Sequence, residues 1–157
     1  MTTPVCVFQC TVPVEWTDYN GHMRDAYYGL ACSLATDALM DQTGLDAASR
    51  EAHHVSLYTL ESHLLFLQEV KVNSQLTVQV HVLDLDHKRV HLCMELYRDD
   101  QTLVAVSEQM LAHIDTAAGK TAPFLPDTHA QLARALANRD ALNSADWLGH
   151  QIRIPRK

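Results

Sequence analysis

A chain of 157 residues holds one domain with a sizeable core and is too short for two ordinary ones. Its composition, 47% hydrophobic and 20% charged, is that of a globular protein, and a net charge of -7 argues against nucleic acid as a partner. No apolar run spans a membrane, "MTTPVCVFQC" lacks the regions of a secretory signal, and Cys6, Cys10, Cys32 and Cys93 form no CxxC pair. A cytoplasmic protein with reduced thiols is therefore expected.

In chain order, "VCVFQCTV" supplies a short strand. The segment "EWTDYNGHMRDAYYG" comes next, with a polar turn at Asp18 to His22. Ala31, Leu34, Ala35, Ala38 and Leu39 then recur at helical spacing, which predicts a helix over 26–42 with Gly44 as its carboxy-terminal cap. Only Ser33, Thr36, Asp37 and the neighbourhood of Met40 form a polar stripe, so this helix is expected to be buried nearly all round, with Leu34 in the core. "HHVSLYTLESHLLFLQ" reads as a long strand over 54–67, although its modest β-branched content leaves a helix as rival.

Strands dominate the second half of the chain. Leu76, Val78, Val80 and Val82 alternate with polar residues, and Val90, Leu92, Met94 and Leu96 repeat the device after the hairpin "LDLDHKR". "RDDQT" is a second turn, and "LVAVSEQMLAHI" a strand over 102–115. Beyond Pro123 and Pro126, "DTHAQLARALANRD" predicts a surface helix capped by Asp127, with the short basic tail "QIRIPRK" at the end. One antiparallel sheet wrapped around one helix satisfies this order, an α+β architecture in a single domain with its core over about 5–116.

The polar turn is where chemistry is expected. The first residues of a helix present unpaired N–H groups and the positive end of its dipole, which would stabilise an oxyanion. A carboxylate on the preceding turn would lie beside the same carbonyl, as nucleophile or as base for water. Asp18 is such a carboxylate, Asn20 donates and accepts, Gly21 lets the backbone come close, and His22 can orient Asp18 or water. Asp, Asn and Gly before a helix are also ordinary turn and capping residues.

Asp18-x-Asn20-x-His22, with Tyr27 and Tyr28 on the apolar helix behind it, resembles the D-x-N-x-H signature of hotdog-fold thioesterases. The wording "WTDYNGHMRDAYY" looks closest to the betainyl-CoA thioesterases of carnitine breakdown. The resemblance implies a hotdog sheet around a central helix and homodimers or homotetramers joined through that sheet. It also implies hydrolysis of an acyl-CoA thioester without metal or prosthetic group, coenzyme A being part of the substrate. Asp18 matches the catalytic aspartate, Asn20 and His22 the accompanying amide and imidazole, and a backbone amide near Asp25 or Ala26 the oxyanion donor. The acid at Asp25 departs from the family pattern. Glu69 falls near a further acidic position.

Other residues fit a substrate pocket. Glu61 and His63 share one face of their strand, and an acid deep in an apolar segment is costly unless it is paired; the plainer readings are an ion pair with its own histidine or an exposed position. Trp16, Tyr19, Tyr27 and Tyr28, beside Asp37 or Glu61, suit a quaternary ammonium group, although ordinary core packing is the better account of at least two of these aromatics. Lys88 and Arg89 in "HKR", then Arg153, Arg156 and Lys157, are candidates for the phosphates of coenzyme A. No metal is expected, because the adjacent His53 and His54 on a strand would point away from each other rather than join His63. The expectation is an acyl-CoA thioesterase acting on a short polar acyl group. The alternatives are a hotdog acyl-CoA hydratase or dehydratase and a non-catalytic acyl-CoA-binding module, with neither nucleic acid nor membrane as partner.

Overall fold

The computed structural model describes residues 2–157. One antiparallel sheet in the order β1-β3-β4-β5-β2 is built from β1 (Cys6–Thr11), β2 (Val55–Phe66), β3 (Gln75–Leu85), β4 (Arg89–Tyr97) and β5 (Leu103–Asp115), with β6 (Lys120–Thr121) appended to β5. Helix α1 (Asp25–Gln42) packs on one face, mainly against β1 and β3. This is the α+β sheet-around-helix architecture expected from the alternating strands.

The register explains the burial. Val78 and Val80 pair with Leu96 and Met94, and Leu92 and Val90 with Gln109 and Leu111, so these side chains share the face that meets α1. Val78, Val80, Val82, Val90, Leu92, Met94, Leu96 and Leu111 are all fully buried. On α1, Ala31, Cys32, Ala35 and Leu39 turn towards them. The small alanines one turn apart let the helix lie close to the sheet.

Helix α1 ends as its sequence suggests. Thr43 Oγ1 donates to the Leu39 carbonyl at 2.7 Å, Gly44 takes a left-handed φ of 84°, and the Leu45 N–H returns to the Met40 carbonyl. The helix is not buried all round, however. Ala26, Gly29, Leu30, Ser33 and Asp37 lie open, Leu34 is only half-buried, and Thr36 is buried with its hydroxyl donated to the Cys32 carbonyl. Small apolar residues fit an open or a covered helix face equally well, so composition alone does not separate the two.

A short helix, α2 (Ala47–His53), precedes β2 in a stretch to which the sequence pattern assigned no element. Asp46 caps it by accepting from the Ser49 N–H at 2.8 Å, and His54 closes it in the left-handed region. His53 and His54 therefore belong to a helix end, not to the strand. Helix α3 (Pro126–Arg134) begins with Pro126 in its first turn rather than with an Asp127 cap, and it buries Thr128 and Leu132. Asp127 instead accepts from Gln131 at 2.8 Å.

The segment after α3 crosses the outer face of the sheet, the face away from α1. Ala137 donates to the Val82 carbonyl, and Leu142 and Leu148 cover Cys93 and Val106. Polar contacts pin it. The Ser144 N–H donates to buried Glu95 at 2.7 Å, Ser144 Oγ meets Cys93 Sγ at 3.1 Å, and Asn143 donates to the Tyr97 hydroxyl at 2.8 Å. Glu95 also pairs with buried His81 at 3.2 Å. Burial pushes the Glu95 carboxyl up, but the bonds from His81 and Ser144 outweigh it and hold the acid below its ordinary value.

Candidate functional site

The polar turn is a small, tightly tied loop. A short 3-10 turn, Val14–Trp16, leads into it, and Thr17 and Met23 pair across its neck. The Asp18 N–H donates to the His22 carbonyl at 2.9 Å, and the Gly21 N–H to the Asp18 carbonyl at 3.0 Å. Gly21 sits at a φ of 73°, where a β-carbon would be strained. Buried Met23 anchors the loop by donating its N–H to the Val70 carbonyl at 2.7 Å, and Val72 donates back to Gly21.

Asp18 Oδ1 accepts the N–H groups of Asn20 (2.8 Å) and His22 (3.2 Å). Among the described residues no donor engages Oδ2. Partial desolvation pushes the Asp18 carboxyl up, but these two N–H groups, with the charges of His22 and Arg24, outweigh it and hold the acid below its ordinary value of 3.8. Asp18 is thus a carboxylate at neutral pH with one oxygen fixed and the other open to a substrate or a water.

That shift has a definite sign for stability. The folded-state value lies below the unfolded one, so ionised Asp18 contributes fully above the unfolded value and the contribution is lost as the pH falls through the folded one. The melting-temperature gap between wild type and Asp18→Ala should stay constant from neutral pH to about pH 5 and narrow below about pH 3.5. Thermal melts across that range check it; a gap that widens in acid would contradict the hydrogen-bonding described.

Because the loop pairs with residues 70–72, Glu69 is brought to His22, its Oε2 lying 3.1 Å from His22 Nε2. Tyr28 is buried behind them, edge-on to Phe66 at 5.0 Å; burial and then the Glu69 charge push its phenol up. At the start of α1 the Ala26 N–H donates to Asp25 Oδ1 at 2.9 Å, while the Asp25 N–H has no acceptor among the described residues. The oxyanion amide was expected near Asp25 or Ala26; of these two, the Ala26 N–H is capped by the Asp25 side chain and the Asp25 N–H is left free.

The aromatic group is smaller than expected. Trp16 and Tyr27 stack, with ring centroids 5.4 Å apart and planes 14° from parallel, at the edge of the α1-side core. Tyr19 does not join them, being 92% exposed at the tip of the loop, and Tyr28 is core.

Glu61 and His63 are not part of this site within one chain. Glu61 pairs with Met110 and His63 with Glu108, while Leu64 and Phe66 turn towards α1, so the acid faces outward. Glu61 is exposed rather than deep, because β2 is an edge strand with one uncovered face. The two residues line a hollow of about 370 Å³ with His91, Glu108 and His150. Asp37, exposed on the fourth turn of α1, lies ten residues beyond Tyr27, roughly 15 Å further along the helix.

Lys88 and Arg89 lie at the β3–β4 hairpin, whereas Asp18 neighbours the start of β3. Eleven residues of strand separate the two ends, about 35 Å at the usual rise. The Arg89 guanidinium is held by Asp86 at 2.7 and 2.8 Å. The basic residues near Asp18 are ones that sequence reasoning passed over. Lys71 and Arg98 line a hollow of about 350 Å³ with Glu69, and Arg98 donates to the Glu69 carbonyl at 2.9 Å. They meet only through tertiary pairing, so no linear spacing announces them.

Comparison with known proteins agrees with this architecture. Residues 12–132 match the model of the "Thioesterase-like superfamily". The chain belongs to that family. It is 40% identical to a betainyl-CoA thioesterase of Pseudomonas aeruginosa over 99% of this chain and 98% of that protein. It is 39% identical to an L-carnitine dehydrogenase/betainyl-CoA thioesterase of Agrobacterium fabrum over 98% of this chain, which spans 31% of that longer protein. A Staphylococcus aureus protein solved in complex with CoA superposes with a TM-score of 0.88 at 30% identity, covering 99% of this chain and 98% of that one. This thioesterase-like chain is thus a thioester hydrolase of the hotdog fold, as its polar turn led one to expect.

Proposed function

We propose that the protein hydrolyses betainyl-CoA to betaine and coenzyme A. The observation that carries this reading is an ionised Asp18 with Oδ2 unengaged on the loop that leads into α1, in a chain matched end to end by a betainyl-CoA thioesterase. The thioester carbonyl is set at the first turn of α1, where the free Asp25 N–H and the helix dipole stabilise the oxyanion. Asp18 Oδ2 acts as base for water or as the attacking nucleophile. In the base route it takes one proton from water as the new C–O bond forms, then returns it to the departing thiolate as the C–S bond breaks. Asn20 stands by as a second polar contact. His22, held by Glu69, orients the water. The Trp16–Tyr27 stack offers an aromatic face to the trimethylammonium group.

Cation–π contacts contribute about 0.5–2 kcal/mol each, so betainyl-CoA should be preferred roughly tenfold or more in kcat/KM over its neutral isostere, 3,3-dimethylbutanoyl-CoA. A thiol-release assay on both tests this. Equal efficiency on the two would remove the reason for a cationic substrate, and binding without thiol release would remove hydrolysis.

A homodimer or larger assembly in the cytoplasm completes the reading. Strand β2 has an open edge carrying exposed Tyr58, Leu60 and Phe66, and α1 leaves Leu30 uncovered. Such an edge calls for pairing or covering. Two β2 edges paired antiparallel would bring the hairpin end of one copy, with Lys88 and Arg89, towards the Asp18 end of the other, where the phosphates of coenzyme A need cations. Light scattering at micromolar concentration should give at least twice the chain mass of 17.6 kDa; a monomer would refute the pairing.

A further inference from the structure

We infer that Asp25 is the residue that selects a cationic acyl group, acting both as counter-charge and as a cap that the cation displaces. This rests on the thioesterase reading of the Asp18 site and deepens it.

An acid at the first position of a helix is ordinary as a stabiliser of the dipole. Here it stands where an ester oxyanion needs positive potential, and a carboxylate there opposes the developing negative charge of a neutral substrate. It also takes up a donor, since its Oδ1 accepts the Ala26 N–H at 2.9 Å. For an uncharged acyl group the arrangement is unfavourable twice over. One of two backbone donors is occupied, and a like charge faces the oxyanion.

In a betainyl thioester the quaternary nitrogen is one methylene away from the carbonyl carbon. Whatever flanks the carbonyl therefore also flanks the cation. Asp25 is exposed and carries no salt bridge among the described residues, so its carboxylate is free to rotate towards the trimethylammonium group. That rotation releases the Ala26 N–H, which joins the Asp25 N–H in facing the oxyanion. The substrate's own charge thus completes the donor pair. The Trp16–Tyr27 stack beside the helix start supplies the apolar wall, while Glu61 lines the hollow on the outer face and Asp37 lies twelve residues beyond Asp25, roughly 18 Å along the helix.

The test compares wild type, Asp25→Ala and Asp25→Asn on betainyl-CoA and 3,3-dimethylbutanoyl-CoA, with thiol release and melting temperature read on each preparation. Asp25→Ala removes charge and cap together. KM for betainyl-CoA should rise roughly tenfold to a hundredfold, while kcat for the neutral thioester rises severalfold. Asp25→Asn keeps a carbonyl able to accept the Ala26 N–H, so it should lose betainyl-CoA affinity as alanine does but raise the neutral kcat less. A parallel fall on both substrates with a lowered melting temperature would make Asp25 a helix-start stabiliser only, and no change on either would remove it from the site. Both results overturn the inference and leave the thioesterase reading standing. A wild type that releases thiol from neither compound overturns the thioesterase reading itself.

Discussion

Replacing Asp18 by asparagine is expected to lower thioester turnover by about 10²–10⁴-fold, and by more if Asp18 is the nucleophile. Asparagine keeps an oxygen where Oδ1 now accepts the Asn20 and His22 N–H groups, so the loop and the melting temperature should stay close to wild type. What it loses is the charge and basicity at Oδ2. His22→Ala should cost less. Water can replace part of an orienting imidazole, and His22 touches the site through Glu69 rather than through Asp18's free oxygen. If the turn were merely a cap on α1, the pattern would reverse, with lower stability and an undiminished rate per folded molecule. Turnover and melting temperature measured on one Asp18→Asn preparation decide between the two.

The parts legible in the sequence are those whose physics is local. Alternation in β3 and β4 placed Val78, Val80, Leu92 and Met94 in the core because a strand sends successive side chains to opposite faces. The Asp18–His22 loop was legible because its bonds run between residues at most four apart. The pairing of His22 with Glu69 was not, since it depends on the Met23–Val70 backbone bond.

Glu61 misleads for a related reason. Its apolar neighbours Leu60, Leu64, Leu65 and Phe66 suggest depth, but β2 is an edge strand and Leu60 and Phe66 are themselves exposed. An exposed apolar edge looks, in one dimension, like a buried strand. The stretch over the outer face is silent in the sequence because Leu142, Trp147 and Leu148 keep neither a helical nor a strand period, and their place is set by Glu95 and Cys93 beneath.

The second large effect separates fold from chemistry. Leu39 is 1% exposed and belongs to the core that α1 shares with β1 and β3, and Leu39→Asp would leave a charge there with no partner, a change that should abolish cooperative folding. The milder Leu39→Ala should lower stability by about 2–5 kcal/mol, read by denaturant melting. Leu34, which the helical pattern ranks equally, is half-buried, so Leu34→Ala should cost clearly less. Leu39 lies fourteen residues beyond Asp25, roughly 21 Å along the helix at 1.5 Å per residue. Its loss should therefore leave turnover per folded molecule unchanged, the reverse of Asp18→Asn. Equal destabilisation at Leu34 and Leu39 would mean that the open stripe of α1 is covered in solution, as pairing of two copies along that face would require.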